Sequence, residues 1–411
     1  MKVAVIGGGV AGIACAYLLQ RRYQVDVLEA GAWLGGHTHT VVIPHGPDAG
    51  TPVETGFIVF NGDTYPLLQR FLRELDVPWQ RSDMSFGYYC ERSGWAYGGH
   101  DLNTFFARRR QLYHPDFLRL ALDLLRFNRR AAQDLQRGTL RGTLRDYLSR
   151  YSKSFVRHYI LPLGAAIWSA PLEAILDFPA HTYVRFFANH GLLRVTQRPD
   201  WFTVSGGSHR YVQAFAQSFQ GRILQPCPVQ SLRHDAQGAW VSYGGEEHFY
   251  DRVVLATHAD QALALLADPT PAEVAALGAW RYQANLAVLH SDDSLLPPFP
   301  RARASWNYRR LQGSPSATLS YDMNRLQSLQ TARPYLVTLN PWKAIAEEKV
   351  VGQWTYHHPQ YDQAAVASQQ ALPALQGQAH RYFCGSYHGY GFHEDALRSG
   401  VEVARLLGVA W

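Results

Sequence analysis

The chain has 411 residues, which is enough for two domains, and its composition is that of a globular protein, 47% hydrophobic and 18% charged. These values exclude an intrinsically disordered chain, a collagen-like repeat and a small disulfide-stabilised scaffold. The formal net charge is +6. Residues 101–160 hold 13 Lys and Arg against five Asp, a local charge of +8, so the rest of the chain carries −2. The positive charge therefore belongs to one segment.

The cysteines and histidines give no sign of a metal centre. The four cysteines are far apart and form no C-x-x-C pair, so we expect free thiols in a cytoplasmic protein that holds no metal ion. His37, His39 and His45 have no companion carboxylates at helical spacing. No run of 18 apolar residues occurs, so no transmembrane helix is expected. No motif that reads nucleic acid accompanies the basic residues, so no nucleic-acid partner is expected.

The first 30 residues predict a strand, a turn, a helix and a second strand. Apolar residues at 2–6 and 25–28 are typical of buried strands, and 11–22 has helical periodicity. Residues 7–12 fit G-x-G-x-x-G, and Glu29 ends the second strand. The glycines permit a tight turn against a pyrophosphate, and the free N–H groups of the helix start attract its charge. The acid can accept hydrogen bonds from a ribose, so the pattern predicts a dinucleotide site.

The rest of the chain alternates between helical and strand patterns. In chain order these are helices at 64–75 and 116–135, strands at 201–204, 222–224, 239–243 and 252–256, a mixed region at 275–370, a strand at 381–384 and a helix at 395–407. We therefore predict an α/β protein in which a mixed α+β substrate domain is inserted into a Rossmann-like domain. The Rossmann-like domain is assigned to 1–60, 200–275 and 375–411, and the substrate domain to 61–199 and 276–374.

Motifs beside Glu29 and near the C-terminus carry a family resemblance. Residues 27–30 (Val-Leu-Glu-Ala) and 34–38 (Leu-Gly-Gly-His-Thr) resemble the FAD fingerprint of the flavin-containing amine oxidase and phytoene desaturase superfamily, with His37 where Arg is usual. Four further segments, 201–208, 253–257, 383–386 and 391–400, resemble other motifs of that superfamily. The last implies a helix whose N-terminus faces the flavin ring and stabilises negative charge there.

The resemblance implies that the Rossmann-like domain binds FAD. A single G-x-G-x-x-G unit occurs, so no NAD(P)H domain is expected and the electron acceptor stays open. Cys384 does not stand where monoamine oxidases attach their flavin, so the FAD is predicted to be non-covalent. The implied FAD contacts are Gly7, Gly9, Val10, Ala11, Gly12, Glu29, Ala30, Gly35, Gly36, His37, Thr38, Gly56, Phe57, Val229, Gly385, Ser386, Gly391, Phe392, His393 and Ala396.

The segment 282–290 argues against amine oxidation. Amine oxidases of the superfamily have a Lys near the flavin on a strand before the C-terminal motif, and this segment has none, with Asn285 near the expected position. A second set of segments resembles a bacterial subfamily of "NAD/FAD-binding" oxidoreductases: 54–61, 161–169, 305–308, 321–327 and 390–395. Its genes commonly lie beside cyclopropane-type fatty acyl methyltransferases, and some members are implicated in desaturating methyl-branched acyl chains on the way to furan fatty acids.

The resemblance predicts an FAD-dependent oxidoreductase that desaturates an apolar substrate, a methyl-branched fatty acyl chain, by hydride transfer to flavin. Oxidation of an amine or a carotenoid-type polyene, and a non-catalytic flavin-binding role in assembly, stay open as alternatives. His388, Tyr390 and His393 are candidates for the base that removes the accompanying proton. The expected apolar wall of the substrate pocket consists of Trp168, Trp306, Tyr308, Tyr321 and Met323.

Residues 108–130 combine arginines with an apolar helical stripe. This pattern is typical of an amphipathic helix at an anionic membrane surface. It is also typical of a helix that packs on the core and leaves an arginine face in solvent. The resemblance implies a lipid or another apolar small molecule as partner, and such a partner would account for this basic segment. A peripheral contact between 108–130 and the inner face of the membrane stays open.

Overall fold

The computed structural model describes residues 1–194, 199–311 and 318–411. The α-helices, in chain order, are α1 (Val10–Leu19), α2 (Pro66–Glu74), α3 (Leu102–Phe105), α4 (Pro115–Gln136), α5 (Leu144–Leu148), α6 (Lys153–Phe155), α7 (Leu161–Trp168), α8 (Leu172–Leu176), α9 (Ala180–Asn189), α10 (His209–Ser218), α11 (Ala259–Leu265), α12 (Pro271–Leu277), α13 (Met323–Leu326), α14 (Gln363–Ser368), α15 (Leu372–Leu375) and α16 (His393–Leu406). A π-helical turn (Val156–Ile160) joins α6 to α7.

The strands, in chain order, are β1 (Lys2–Ile6), β2 (Gln24–Leu28), β3 (Thr40–Val42), β4 (Pro52–Glu54), β5 (Phe60–Asn61), β6 (Trp79–Arg81), β7 (Phe86–Cys90), β8 (Ala96–Gly98), β9 (Trp201–Val204), β10 (Arg222–Leu224), β11 (Ser231–His234), β12 (Ala239–Tyr243), β13 (Glu246–Tyr250), β14 (Arg252–Leu255), β15 (Tyr282–His290), β16 (Trp306–Arg310), β17 (Thr318–Asp322), β18 (Leu336–Leu339), β19 (Val350–Pro359) and β20 (Arg381–Phe383).

A five-stranded parallel sheet organises one half of the molecule, with strand order β10-β2-β1-β14-β20. Its inner strands β1, β2 and β14 are buried on both faces, as the apolar runs at 2–6 and 252–255 require. Val3 and Val5 pack with α1, α2, α10 and α16, whereas Ala4 and Ile6 face the opposite core. The predicted Rossmann-like α/β fold is confirmed, and the helices and strands that the sequence predicted individually lie within a few residues of their predicted bounds.

A seven-stranded sheet organises the other half, with strand order β19-β15-β18-β17-β16-β7-β8. Neighbouring strands are antiparallel except for the β16–β7 pair. The helices from α3 to α9 belong to the same half, and α7 contacts β16. Chain segments from between β1 and β20 therefore build both sheets, which is the arrangement expected of an inserted domain.

Helix α2 belongs with the parallel sheet rather than with the predicted substrate domain. Its Leu68, Phe71 and Leu72 join the core formed by α1 and α16. The Glu394 carboxylate at the start of α16 accepts hydrogen bonds from the backbone N–H groups of Leu67 (2.9 Å) and Leu68 (3.0 Å). The predicted boundary at residue 60 therefore lies too early in the chain. The described residues contain no helix that is both long and apolar enough to cross a membrane.

Candidate active site

A cavity of about 1270 Å³ lies between the two sheets. Its floor is the carboxyl edge of the parallel sheet, where Ile6 of β1, Leu28 of β2 and Ala256, directly after β14, reach the cavity wall. This edge is the place where open α/β sheets bind ligands. The volume exceeds the roughly 300–1,000 Å³ of ordinary ligand pockets, so the cavity can hold a dinucleotide and a second molecule.

The glycine turn before α1 leaves backbone groups open to the cavity. Gly7 has φ +105°, a conformation that side chains other than glycine rarely adopt. A Cβ on Gly12 would lie 2.0 Å from the Gly7 carbonyl oxygen, whereas a Cβ on Gly9 would meet nothing within 4 Å. No side chain caps α1, so the N–H groups at its start are free to bind an anion.

Glu29 stands beside this turn at the end of β2. Its carboxylate accepts hydrogen bonds from the N–H groups of Gly8 (2.7 Å) and Gly31 (2.6 Å), and it lines the cavity. These two bonds fix the carboxylate next to the turn and leave further lone pairs for a ligand hydroxyl. Cys227 and Val229 line the same end of the cavity, and the Cys227 N–H donates to the Glu29 carbonyl oxygen (2.6 Å).

The start of α16 is aimed at the cavity by two buried carboxylates. Asp395 accepts from the N–H groups of Tyr390 (2.9 Å) and Phe392 (3.1 Å), which holds the turn before the helix. Glu394 holds α2 through the two bonds described above. Burial raises the pKa of both acids. Gly391, Phe392, His393 and Ala396 consequently line the cavity, so a second helix N-terminus faces it.

The residues present fit FAD. The uncapped start of α1 and the empty space beside Gly9 suit a pyrophosphate, Glu29 suits a ribose diol, and the start of α16 suits an electron-rich ring. All but two of the 20 predicted FAD contacts line the cavity. Gly12 and Thr38 lie behind its wall. Gly12 is covered by the Gly7 carbonyl, and the buried Thr38 hydroxyl hydrogen-bonds to the Tyr211 hydroxyl.

Seven histidines line the cavity, namely His37, His100, His190, His258, His357, His358 and His393. The ring centres of His37 and His358 are 5.5 Å apart, and those of His37 and His258 are 6.1 Å apart. Burial, followed by repulsion from neighbouring histidines, lowers the pKa of His37 and His258 to about 4 and that of His358 to about 3. These three rings are therefore neutral at pH 7, and His37 offers hydrogen bonds without the charge of the Arg that is usual at its position.

A chain of hydrogen bonds with fixed direction ends at His358. The Leu286 N–H donates to Asn340 Oδ1 (3.0 Å), and Asn340 Nδ2 donates to Asn285 Oδ1 (2.7 Å). Asn285 Nδ2 then donates to the Ser169 carbonyl oxygen (3.1 Å) and to His358 Nδ1 (3.0 Å). A backbone N–H can only donate and a carbonyl can only accept, so both amides have one orientation. His358 therefore carries its hydrogen on Nε2.

One of the three predicted bases faces the cavity. His393 lines it with its ring stacked on Phe57, 3.8 Å between ring centres, and its Nε2 hydrogen-bonded to the Tyr211 hydroxyl (2.9 Å). Burial lowers its pKa to about 3. His388 and Tyr390 do not line the cavity, which corrects their assignment as bases that act on substrate. The His388 ring packs at 4.7 Å from the Tyr387 ring, whereas the Tyr390 carbonyl accepts from Trp168 Nε1 (3.2 Å).

Three of the five predicted pocket residues line the cavity, namely Trp168, Trp306 and Tyr321. Tyr308 and Met323 do not, and this is a second correction. Tyr308 is 1% exposed and packs on the Tyr88 ring, whereas Met323 is fully buried in the core. Trp306 and Tyr308 lie two residues apart on β16 and so share a face of the strand. The cavity ends between them.

Much of the wall far from the glycine turn was not predicted. It is apolar and comes from four separate helices and the loops between them: Phe105, Phe106, Leu124, Tyr159, Leu163, Ile167, Phe186 and Leu192. His357 and His358 were also missed, because a histidine pair at the end of a strand has no motif of its own. The described wall contains two acids, Glu29 and Asp101, and neither Lys nor Arg. No group of described His, Cys, Asp or Glu residues is arranged to hold a metal ion.

Solved structures with this fold include oxidases and an isomerase. Cyclohexylamine oxidase from Brevibacterium oxydans is 14% identical, with a TM-score of 0.72 over 99% of this chain and 98% of that chain. Putrescine oxidase is 17% identical, with a TM-score of 0.69 over 99% of both chains. A fatty acid isomerase from P. acnes is 13% identical, with a TM-score of 0.69 over 98% of both chains.

Sequence comparison gives the family. A search of curated proteins finds no match to the chain. The family model described as flavin containing amine oxidoreductase matches residues 10–407, which include α1, Glu29, the cavity histidines and α16. A flavin cofactor, FAD, follows from this match and agrees with the cradle at the edge of the parallel sheet. The chain belongs to the family of flavin-containing amine oxidoreductases and is an oxidoreductase.

Proposed function

We propose that the protein binds FAD non-covalently and uses it to desaturate an apolar substrate, a methyl-branched fatty acyl chain. The observation that carries this proposal is the long apolar arm of the cavity, which runs from Trp168, Trp306 and Tyr321 to the wall built by α3 and α4. An alkyl chain gains free energy from such a wall in proportion to the apolar area it buries. The resemblance to the subfamily beside acyl methyltransferases supports the same substrate.

The charge distribution disfavours an amine substrate. A substrate ammonium group would need a carboxylate near the ring end of the FAD site. In the described wall, Glu29 lies at the glycine turn and Asp101 lies beside α3. Asn285, near the position where the resemblance places the Lys of amine oxidases, donates a hydrogen bond to His358 instead. Two structural neighbours are amine oxidases and one is a fatty acid isomerase, so an amine remains the competing substrate class in the test below.

Bound FAD would supply the hydride acceptor. The chain would do the rest: the aromatic wall orients the acyl chain and excludes water, and the start of α16 stabilises negative charge. His393 is neutral at pH 7 and is the one predicted base that faces the cavity, but its pKa of about 3 makes it a weak proton acceptor. His358 serves as a hydrogen-bond donor through Nε2.

Anaerobic reduction of the bound flavin tests the proposal. The purified protein is mixed with phospholipid that carries methyl-branched acyl chains, with the straight-chain counterpart, and with putrescine or cyclohexylamine. We expect the branched lipid alone to bleach the visible absorbance of the flavin. Bleaching by the amines, or by none of these compounds, would contradict the proposal. Acid precipitation tests the attachment, because non-covalent FAD stays in the supernatant.

A further inference from the structure

The apolar arm of the cavity opens to solvent between α3 and α4. Leu102 and Leu125 line the cavity and are nevertheless 77% and 57% exposed, so they mark its opening. His100, Asp101 and Asn128 complete this edge of the wall. Apolar side chains at an opening lose contact with water only when another surface covers them. Binding of a ligand or of another surface at the opening would therefore bury these side chains.

Helix α4 presents three different faces. Phe117, Leu120 and Phe127 are buried in the core, and Leu124 and Ala121 face the cavity. Leu118, Leu122 and Leu125, at spacing i, i+4 and i+7, form an outward stripe and are 39%, 54% and 57% exposed. We call Leu102, Leu118, Leu122 and Leu125 the leucine rim.

The exposed apolar side chains are concentrated in this part of the molecule. Twelve large hydrophobic residues are exposed in the described chain, and six of them lie between residues 102 and 125. The additional two beside the leucine rim are Leu112 and Tyr113. Scattered exposed leucines are ordinary, but a group of this kind around a cavity opening marks a contact surface.

Arginines flank the leucine rim. Arg119, Arg126 and Arg130 lie on one side of the stripe, and Arg129 continues the stripe itself. Arg119 and Arg126 have partners one turn away, Asp116 (3.7 Å) and Asp123 (3.4 Å), but both remain exposed. Arg108, which the sequence grouped with them, is partly buried on the Phe299 ring and hydrogen-bonds to the Gly94 carbonyl, so it belongs to the fold rather than to this surface.

We propose that the leucine rim docks on an anionic phospholipid surface and that the cavity then opens directly among the acyl chains. Leucines would enter the interface, and the arginines would contact phosphate headgroups. A second copy of the chain is a poorer occupant, because a two-fold contact through this face would set arginines against arginines. The inference agrees with an acyl substrate but does not require turnover.

Vesicle binding by the FAD-loaded protein tests the docking. The vesicles are equimolar phosphatidylglycerol and phosphatidylcholine with unbranched chains, and pure phosphatidylcholine is the neutral comparison. We expect co-sedimentation with the anionic vesicles that weakens as salt is added. Leu122→Ser with Leu125→Ser should weaken binding about tenfold or more, because two apolar anchors are lost. Arg129→Glu with Arg130→Glu should weaken it at least about 20-fold at low salt, from about fivefold per charge.

A matched control uses exposed apolar residues elsewhere. Val274→Ser with Leu406→Ser removes two comparable side chains far from the opening in sequence and should leave binding unchanged. FAD content, measured for every variant, shows that the fold is kept. The proposal is overturned if the wild type ignores anionic vesicles, if the control and the rim variant weaken alike, or if the rim variant converts a dimer to a monomer in light scattering. Unbranched lipids are not the proposed substrate, so flavin reduction and docking fail or succeed separately.

Discussion

The two ends of the cavity are formed by different kinds of chemical group. At the glycine turn the wall is mostly backbone: Gly7, Gly9 and the N–H groups at the start of α1, with Glu29 held by two further backbone groups. At the opening the wall is formed by apolar side chains from α3 and α4, with His100, Asp101 and Asn128 at its edge. A backbone site demands particular residues at fixed spacing, whereas an apolar wall demands only volume and hydrophobicity. The end at the glycine turn therefore binds one kind of molecule. The apolar end can be altered by substitution without loss of binding at the glycine turn.

Gly9→Val should have the largest effect, because it should abolish binding at the glycine turn and leave the apolar end intact. The Gly9 Cβ direction is open, so a valine folds without collision and occupies the space assigned to the pyrophosphate. We expect bound FAD to fall to about a tenth of the wild-type level or less. The melting temperature measured without added FAD should stay near that of the wild-type apoprotein.

Gly62→Val is the matched control, because Gly62 is exposed and does not line the cavity. It should retain FAD. A Gly9→Val protein that purifies with one FAD per chain would contradict the assignment of the cradle.

Ala121→Trp should alter only the apolar end. Ala121 faces the cavity from α4, and an indole there would fill part of the arm. We expect a fluorescent polyene fatty acid to bind about tenfold more weakly or worse, because the chain can no longer enter fully. FAD content should not change. Ala121→Ser, which adds little volume, should bind the fatty acid nearly as the wild type does, and equal binding by all three proteins would place the acyl site elsewhere.

A smaller effect concerns Glu54, a fully buried acid at the end of β4. It accepts hydrogen bonds from the Ser208 backbone and hydroxyl groups and from the Thr40 hydroxyl. Burial outweighs these bonds and raises its pKa from 4.5 to about 7. Between these values the folded chain binds more protons than the unfolded chain, so the free energy of unfolding falls as pH rises through this window, by at most about 3 kcal/mol.

Urea unfolding at pH 5 and pH 8 measures this contribution. Glu54→Gln cannot ionise, so the difference in unfolding free energy between it and the wild type should move in favour of the variant by about 1–3 kcal/mol from pH 5 to pH 8. Glu246→Gln, at an exposed position on β13, should show no such change. A constant difference between Glu54→Gln and the wild type would mean that Glu54 ionises normally in the folded protein.

Backbone requirements explain which parts of the site could be predicted. The turn at 7–12 and the start of α16 need glycines, caps and charges at set positions, and these were legible in the sequence. Tyr308 and Trp306 illustrate the opposite case. Both are aromatic residues on the same face of one strand, and only the packing of Tyr88 against Tyr308 decides that the cavity stops short of it. No local pattern could separate the two.

The histidines show a further limit of sequence reasoning. His37 was recognised because it replaces a familiar Arg, whereas His357 and His358 come from β19, more than 300 residues away, and match no motif. Asn285 was singled out because it lies near the expected Lys position, but its partners Ser169, His358 and Asn340 come from the ends of α7, β19 and β18. Such a contact depends on tertiary packing and produces no recognisable residue spacing in the sequence.

The hydrogen-bond chain through Asn285 changes what kind of group His358 is. Its pKa of about 3 keeps it uncharged at pH 7, and Asn285 occupies the nitrogen through which it could accept a proton. His358 therefore acts as a backbone N–H group would: it is a neutral hydrogen-bond donor with a fixed direction. The charge of a lysine at this place would change with its protonation state. Here the hydrogen-bonding direction of the site is fixed when β15 and β18 pair.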